Sequence, residues 1–184
     1  MGASLYCDLS KAVITSAGST RKLVEGIARL SVVLLLMIAL GVLFDLALGL
    51  PRLTAPDQVP IGVGLIALAL YLESRATFVL WTLGAGTPNP ADPPKRLVTE
   101  GPYRFSRNPL YVARLLLLWG SALYLGSLGV FLISLILILA LHFVLVPREE
   151  LRLEKRFGGS YVEYRIRVPR WIAIRSRSLS RRDN

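Results

Sequence analysis

The chain has one cysteine, Cys7, and one histidine, His142, in 184 residues. A lone cysteine excludes an intramolecular disulfide and a cysteine cluster for zinc or an iron–sulfur centre. A lone histidine excludes bis-His haem ligation across a helical bundle, so no metal site is expected. Acidic residues are scarce as well: 12 Asp and Glu stand against 22 Lys and Arg, a net charge of +10. Tyr6 occupies the position where a myristoylation signal needs Ser or Thr. No short apolar core with a small-residue cleavage site precedes Cys7, so neither a cleaved leader nor a lipoprotein anchor is expected.

Apolar sequence is what the chain has in excess. Hydrophobic residues make up 53% of it and the mean hydropathy is +0.53, although the isoelectric point is near 10.4. A soluble domain of this size seldom has so much apolar surface, and a disordered basic protein has far less. Long apolar blocks with the charges between them reconcile the two properties and point to an integral membrane protein. Such blocks cover residues 30–50, closed by Pro51; 59–83; 109–125; and 128–146, closed by Pro147. Each is close to the roughly 20 residues a helix needs to cross the hydrocarbon. Only Gly126 and Ser127 part the last two, which predicts a tight antiparallel helical hairpin.

The expected fold class is therefore all-α: four transmembrane helices, a helical hairpin of spans three and four, and a cytoplasmic C-terminal helical segment. The expected divisions are a cytoplasmic N-terminal segment (1–29), spans one and two (30–83), a Gly/Pro-rich cytoplasmic loop (84–108), the hairpin (109–147), a helical segment (148–172) and a basic tail (173–184). Lys and Arg alternate between compartments. Lys11, Arg21, Lys22 and Arg29 precede span one, and Arg52 alone follows it. Lys95, Arg96, Arg104 and Arg107 lie between spans two and three, none lies inside the hairpin, and eleven follow it. The positive-inside rule then places both termini and the 84–108 loop in the cytoplasm. Topology accounts for the charge, so no nucleic-acid partner is expected. The Arg175–Arg182 tail should be drawn to anionic lipid. With short loops and no leader, the expected location is a prokaryotic inner or plasma membrane.

Asp45, Glu73, Arg75 and Arg114 lie inside apolar blocks. Glu73 and Arg75 are two apart on one helix and do not face each other, so each needs water or a partner on another span, such as Asp45 or Arg114. The alternatives are a buried interhelical ion pair and a polar cavity.

The residues with chemical potential cluster at the cytoplasmic face. Gly84–Pro94 is too rich in proline and glycine to be helical, and Gly84-Ala85-Gly86 is followed by prolines, so it is no dinucleotide fingerprint. Leu97–Tyr111 brings Gly101-Pro102-Tyr103 and Arg107-Asn108-Pro109-Leu110-Tyr111 to the start of span three. There free N–H groups, the positive helix end and the Arg107 guanidinium favour a carboxylate or phosphate. The hairpin returns Glu149 and Glu150 to the same face, where they can accept from hydroxyls, an ammonium or an arginine. On a regular helix His142 and Glu149, seven apart, would share one face about 10 Å apart. The bland readings are aromatic-belt anchoring for Tyr161 and Tyr164, anchoring or packing for Trp81, Trp119 and Trp171, and simple hydrogen bonding for His142.

These blocks resemble the integral-membrane methyltransferases that include isoprenylcysteine carboxyl methyltransferase and the phospholipid N-methyltransferases. The matching stretches are Gly101-Pro102-Tyr103, Arg107–Tyr111, Glu149–Leu153, Phe157–Tyr164 and Val168-Pro169-Arg170, spanning residues 99–172. The resemblance implies S-adenosylmethionine held at the cytoplasmic side and a lipophilic acceptor arriving from the bilayer. It implies that Tyr103, Arg107, Asn108, Pro109, Tyr111, His142, Glu149, Glu150, Tyr161 and Tyr164 border the cofactor. Glu150, Arg107 and Asn108 would be closest to the chemistry, and Arg170 and Arg114 would bind the acceptor. Asn108 stands where the family usually has His, and Ala113 where a Gly is common. Asn keeps a donor and an acceptor but does not titrate near neutral pH. A membrane reductase of the sterol-reductase type using NADPH and a non-enzymatic four-span scaffold are the competing readings. The acceptor stays open among carboxylate, amine and thiol, and the oligomeric state is undetermined.

Overall fold

A computed structural model describes residues 2–52, 55–86 and 94–172, with side chains from Thr20 onward. The basic tail and the centre of the Pro-rich loop lie outside the described residues. Those described form helices and no strand. Helix α1 runs Gly2–Leu48, α2 Gln58–Gly84, α3 Pro109–Leu125, α4 Leu128–Ala140, α5 Val146–Phe157 and α6 Gly159–Arg167. Three stretches are long and apolar enough to cross a membrane: Thr20–Leu48, Gln58–Gly84 and Leu128–Phe157. Helix α3 has 17 residues, about 26 Å of rise against a hydrocarbon core of about 30 Å.

The hairpin forms where the sequence places it. Gly126 takes φ 63°, ending α3, and the Ser127 N–H bonds the Ala122 carbonyl at 2.8 Å. The Ser127 hydroxyl then caps α4 by accepting from the Val130 N–H. Pro147, by contrast, does not end the fourth apolar helix, which continues to Phe157. Proline lacks an N–H for the carbonyl four residues back and its ring crowds that carbonyl. The ladder widens instead into a π-helical turn over Leu141–Leu145, with the Val146 N–H bonded to the Leu141 carbonyl. That turn breaks the 3.6-residue phase, so the seven-residue spacing of His142 and Glu149 does not put them on a shared helical face.

Helix α3 is central, packing on α2 most extensively, then on α4 and more lightly on α1. Two close glycine crossings cinch the bundle. A Cβ on Gly62 or on Gly120 would lie 2.8 Å from the other's carbonyl oxygen, at the α2–α3 crossing. A Cβ on Gly129 would collide with the Gly41 carbonyl oxygen, at the α1–α4 crossing. Both crossings sit toward the end opposite the Arg- and Lys-rich loops. Asp45 pins the second one: its carboxylate accepts from the Ser127 hydroxyl and, at 2.6 Å, from the Gly129 N–H. This is the partner of Asp45, a cap supplied to α4 from another helix.

At the basic end the helices diverge. Glu73 of α2 meets Arg114 of α3 at 3.3 Å, whereas Arg75 is exposed and makes no ion pair among the described residues. Helix α1 makes next to no contact with α2. A cavity of about 500 Å³ opens between α1, α2 and α3 there.

Candidate active site

The site assembles where the loop before α3 meets the chain after α5. Residues 95–105 fold against the end of α2. Gly101, at φ 59°, makes the turn that brings Tyr103 into a buried cluster with Ala76, Val79, Leu80 and Val98. Tyr164 of α6 donates its hydroxyl to the Tyr103 carbonyl at 2.8 Å, tying this loop to the C-terminal helices. Tyr161, Tyr164 and Val168 form the adjoining core with Leu97, Leu153 and Phe157.

The segment after α6 then crosses the start of α3 as a strap. The Arg107 N–H bonds the Pro169 carbonyl at 3.0 Å. The Arg170 carbonyl accepts from Asn108 Nδ2 at 3.0 Å and from the Ser106 hydroxyl at 3.3 Å. Trp171 follows, its indole donating to His142 Nδ1 at 3.1 Å with the two rings stacked. His142 is thus held by Trp171, which packs, half-buried, against Leu141 and Val146.

Beneath the strap lies a charge cluster. Glu150 is buried and receives two hydrogen bonds from Arg170, at 3.1 Å and 2.7 Å. Arg107 Nη1 lies 2.8 Å from Glu150 Oε1, in ionic contact but off the axis of a hydrogen bond. Arg107 Nε is buried with no acceptor among the described residues, and its side chain is only 10% exposed. The hydrogen bond to Glu150 holds the Arg170 guanidinium even more firmly protonated than usual, against the opposing effect of burial. Next to this cluster, the Tyr111 hydroxyl donates to Glu149 at 3.0 Å.

Burial is the main force on the loop and α6 tyrosines. It raises the hydroxyls of Tyr103, Tyr161 and Tyr164 above the usual phenol range, with Tyr164 and then Glu149 adding to it at Tyr103, Glu150 at Tyr161 and Tyr161 at Tyr164. The Arg107 guanidinium opposes the shift at Tyr161 and Tyr164 without reversing it. All three stay protonated at neutral pH and act as hydrogen-bonding phenols, not as bases.

The sequence-marked residues therefore fall into distinct groups. Arg107, Glu150, Arg170 and Tyr161 come together; Tyr111 joins Glu149; Tyr103 joins Tyr164. The Asn108 side-chain amide holds the strap at the Arg170 carbonyl, and Pro109 opens α3. Arg114 stands apart, paired with Glu73 and lying 5.5 Å from the Tyr111 ring centre. Sequence reasoning missed Ser106, which is buried and also accepts from the Asn108 N–H at 3.0 Å. Its signal was a hydroxyl two residues before an Asn-Pro helix start, a local pattern for side-chain-to-backbone bonding.

The described helices form a bundle apolar enough to cross a membrane, with arginines and carboxylates gathered at one end. Residues 58–160, more than half of the chain, match the phospholipid methyltransferase family, and the chain belongs to it. It is an integral membrane methyltransferase. The chain is also 36% identical over 63 residues to an uncharacterized protein of Haemophilus influenzae, a match covering 34% of this chain and 100% of that one. No solved structure matches.

Proposed function

We propose that the chain transfers a methyl group from S-adenosylmethionine to a lipophilic acceptor drawn from the bilayer. In this reading four helices cross the membrane, α3 as a short span, and the site and both termini face the cytoplasm. Nineteen of the 22 Lys and Arg lie in the segments so assigned, as the positive-inside rule requires.

The observation that carries the reading is the Nε of buried Arg107, which has no acceptor among the described residues. Leaving such a donor unsatisfied costs about 1–3 kcal/mol, so the cluster has a place for an oxygen acceptor from outside the protein. A ligand with a carboxylate, an ammonium and ribose hydroxyls fits a site that offers a guanidinium donor beside two carboxylate acceptors. When bound, S-adenosylmethionine supplies a methyl on a sulfonium, already activated toward a nucleophile. Arg107 would hold its carboxylate, while Glu149 and Glu150 would accept from its ammonium or hydroxyls. Tyr103, Tyr111, Tyr161 and Tyr164 wall the site, and the strap holding Arg170 and Trp171 excludes water from it.

The chain needs no strong base for this chemistry. A carboxylate acceptor requires no deprotonation. An amine must lose a proton, and Glu149, engaged among the described residues only by the Tyr111 hydroxyl, is freer to take it than Glu150, which two arginines hold. Asn108 in place of an imidazole is compatible with both cases.

Calorimetric titration of the detergent-solubilised protein with S-adenosylmethionine and with NADPH tests the reading. Saturable binding of the first and none of the second is expected. Arg107→Ala should weaken it by about 10- to 100-fold, the worth of one hydrogen bond to a charged group. Binding of NADPH with no response to S-adenosylmethionine would transfer the chain to the reductases, and binding of neither would leave a scaffold.

A further inference from the structure

The joint of α1 with the α3–α4 hairpin has a cavity of its own, at the end of the bundle opposite the Arg107–Glu150 cluster. Helix α3 rises about 26 Å between the two, so this cavity is no part of the methyl-transfer site. Local backbone chemistry builds it. Gly49, at φ 59°, ends α1, and the Leu50 N–H reaches back to the Asp45 carbonyl at 3.0 Å. That closure folds the chain over the helix end and sets Arg52 on the same cavity as Asp45, Tyr124 and Ser127. The cavity measures about 530 Å³, within the range of small-molecule sites.

Its chemistry is a pair of opposite charges held apart. The two Asp45 oxygens each accept one hydrogen bond, from the Ser127 hydroxyl and from the Gly129 N–H. Both donors are neutral, and each carboxylate oxygen has a further lone pair to offer. Among the described residues Asp45 has no cation within ion-pair distance, and Arg52, which is exposed, has no carboxylate. Arg52 is also the one Lys or Arg between α1 and α2, at an end of the bundle where the α3–α4 turn has none. The remaining walls are largely apolar. Leu46, Val59 and Leu125 are substantially exposed, so the cavity opens onto the lipid beside it.

We propose that this cavity binds a phospholipid whose headgroup has a primary ammonium beside its phosphate, in the leaflet opposite the Arg107–Glu150 cluster. The ammonium donates to the free lone pairs of Asp45, the phosphate lies on the Arg52 guanidinium, and the acyl chains run along Leu46 and Val59. Charge complementarity selects this occupant. A purely anionic headgroup meets Asp45 with like charge, and a quaternary ammonium has no N–H to donate to it. The apolar walls open to the bilayer favour a lipid over a free zwitterion. Bound there, the lipid joins α1 to the hairpin beside the Gly41–Gly129 crossing and stabilises the folded bundle by mass action. It takes no part in methyl transfer, and the site does not depend on that reading.

Native mass spectrometry of the detergent-solubilised protein tests it, with phosphatidylethanolamine, phosphatidylcholine and phosphatidylglycerol of matched acyl chains as separate probes. Phosphatidylethanolamine is expected to bind about tenfold more tightly than either of the others, the worth of one hydrogen bond to a charged group. Arg52→Gln should weaken that binding by about tenfold, and Asp45→Asn should abolish the preference over phosphatidylcholine. Val59→Trp, which fills the cavity and leaves both charges in place, should remove the binding, so the test stands even if Asp45→Asn unsettles the fold. Free glycerophosphoethanolamine at the lipid's concentration should not displace the lipid. Equal affinities for the three lipids, or displacement by that free headgroup, would overturn the proposal. So would a preference that survives both Arg52→Gln and Val59→Trp, because the lipid would then sit elsewhere on the bundle.

Discussion

Glu150→Gln is expected to lower methyl transfer by about 100-fold or more, the scale on which misplaced reacting groups act. Among the described residues Glu150 is the single carboxylate between Arg107 and Arg170, and it is buried. With a neutral amide there, two guanidiniums face each other without a counter-charge. Breaking a buried pair from one side costs about 3 kcal/mol, so the unfolding midpoint should fall as well. The double variant Glu150→Gln/Arg170→Gln separates the two effects. It removes one positive charge along with the negative one and should recover much of the stability, yet none of the turnover, because Arg107 still lacks its partner. Turnover restored together with stability would show that Glu150 serves only to hold the strap.

Gly120→Val is expected to destabilise the bundle by about 3 kcal/mol, the upper range for overpacking, and to inactivate it. The added Cβ would lie 2.8 Å from the Gly62 carbonyl oxygen and 2.9 Å from the Ile66 N. Both are backbone atoms that move only if α2 and α3 part. Parting them displaces Arg114 from Glu73 and the start of α3 from the loop folded on α2. Gly64→Ala is the matched control: nothing lies within 4 Å of its added Cβ, and alanine favours helix by up to about 1 kcal/mol. Thermal unfolding in detergent should show a large fall for the first variant and none for the second. Equal midpoints would mean that the α2–α3 crossing does not limit stability.

Much of this structure was legible because membrane proteins write their constraints in long, simple signals. Apolar runs and their breakers gave the helices, and Gly126-Ser127 gave the hairpin, since both depend on local backbone preferences. Pro147 misled for a related reason. Proline is a reliable breaker only where nothing else satisfies the freed carbonyl, and a π-turn over Leu141–Leu145 lets the helix pass through it. The glycine crossings were not legible: Gly41, Gly62, Gly120 and Gly129 become meaningful only once two helices meet at those points. The same holds for Asp45, whose partners are 82 and 84 residues away.

The candidate site was legible as an inventory and not as a wiring. Arg107, Glu150 and Tyr161 could be marked as neighbours from the family pattern. Nothing in the spacing indicated that Asn108 and Ser106 would hold the Arg170 carbonyl, or that His142 would be held by Trp171. Those contacts depend on the path of the strap across α3. The choice between Arg114 and water as the partner of Glu73 likewise needed the relative rotation of α2 and α3.

The central claim is that this family member moves a methyl group from S-adenosylmethionine to a lipid-phase acceptor through the Arg107–Glu150 cluster. The most direct test incubates the purified protein with methyl-labelled S-adenosylmethionine and a total membrane lipid extract, and follows label into the organic phase beside the Glu150→Gln variant. A labelled lipid product is expected with the wild-type chain and about 100-fold less with the variant. Equal label in the two organic phases would contradict it.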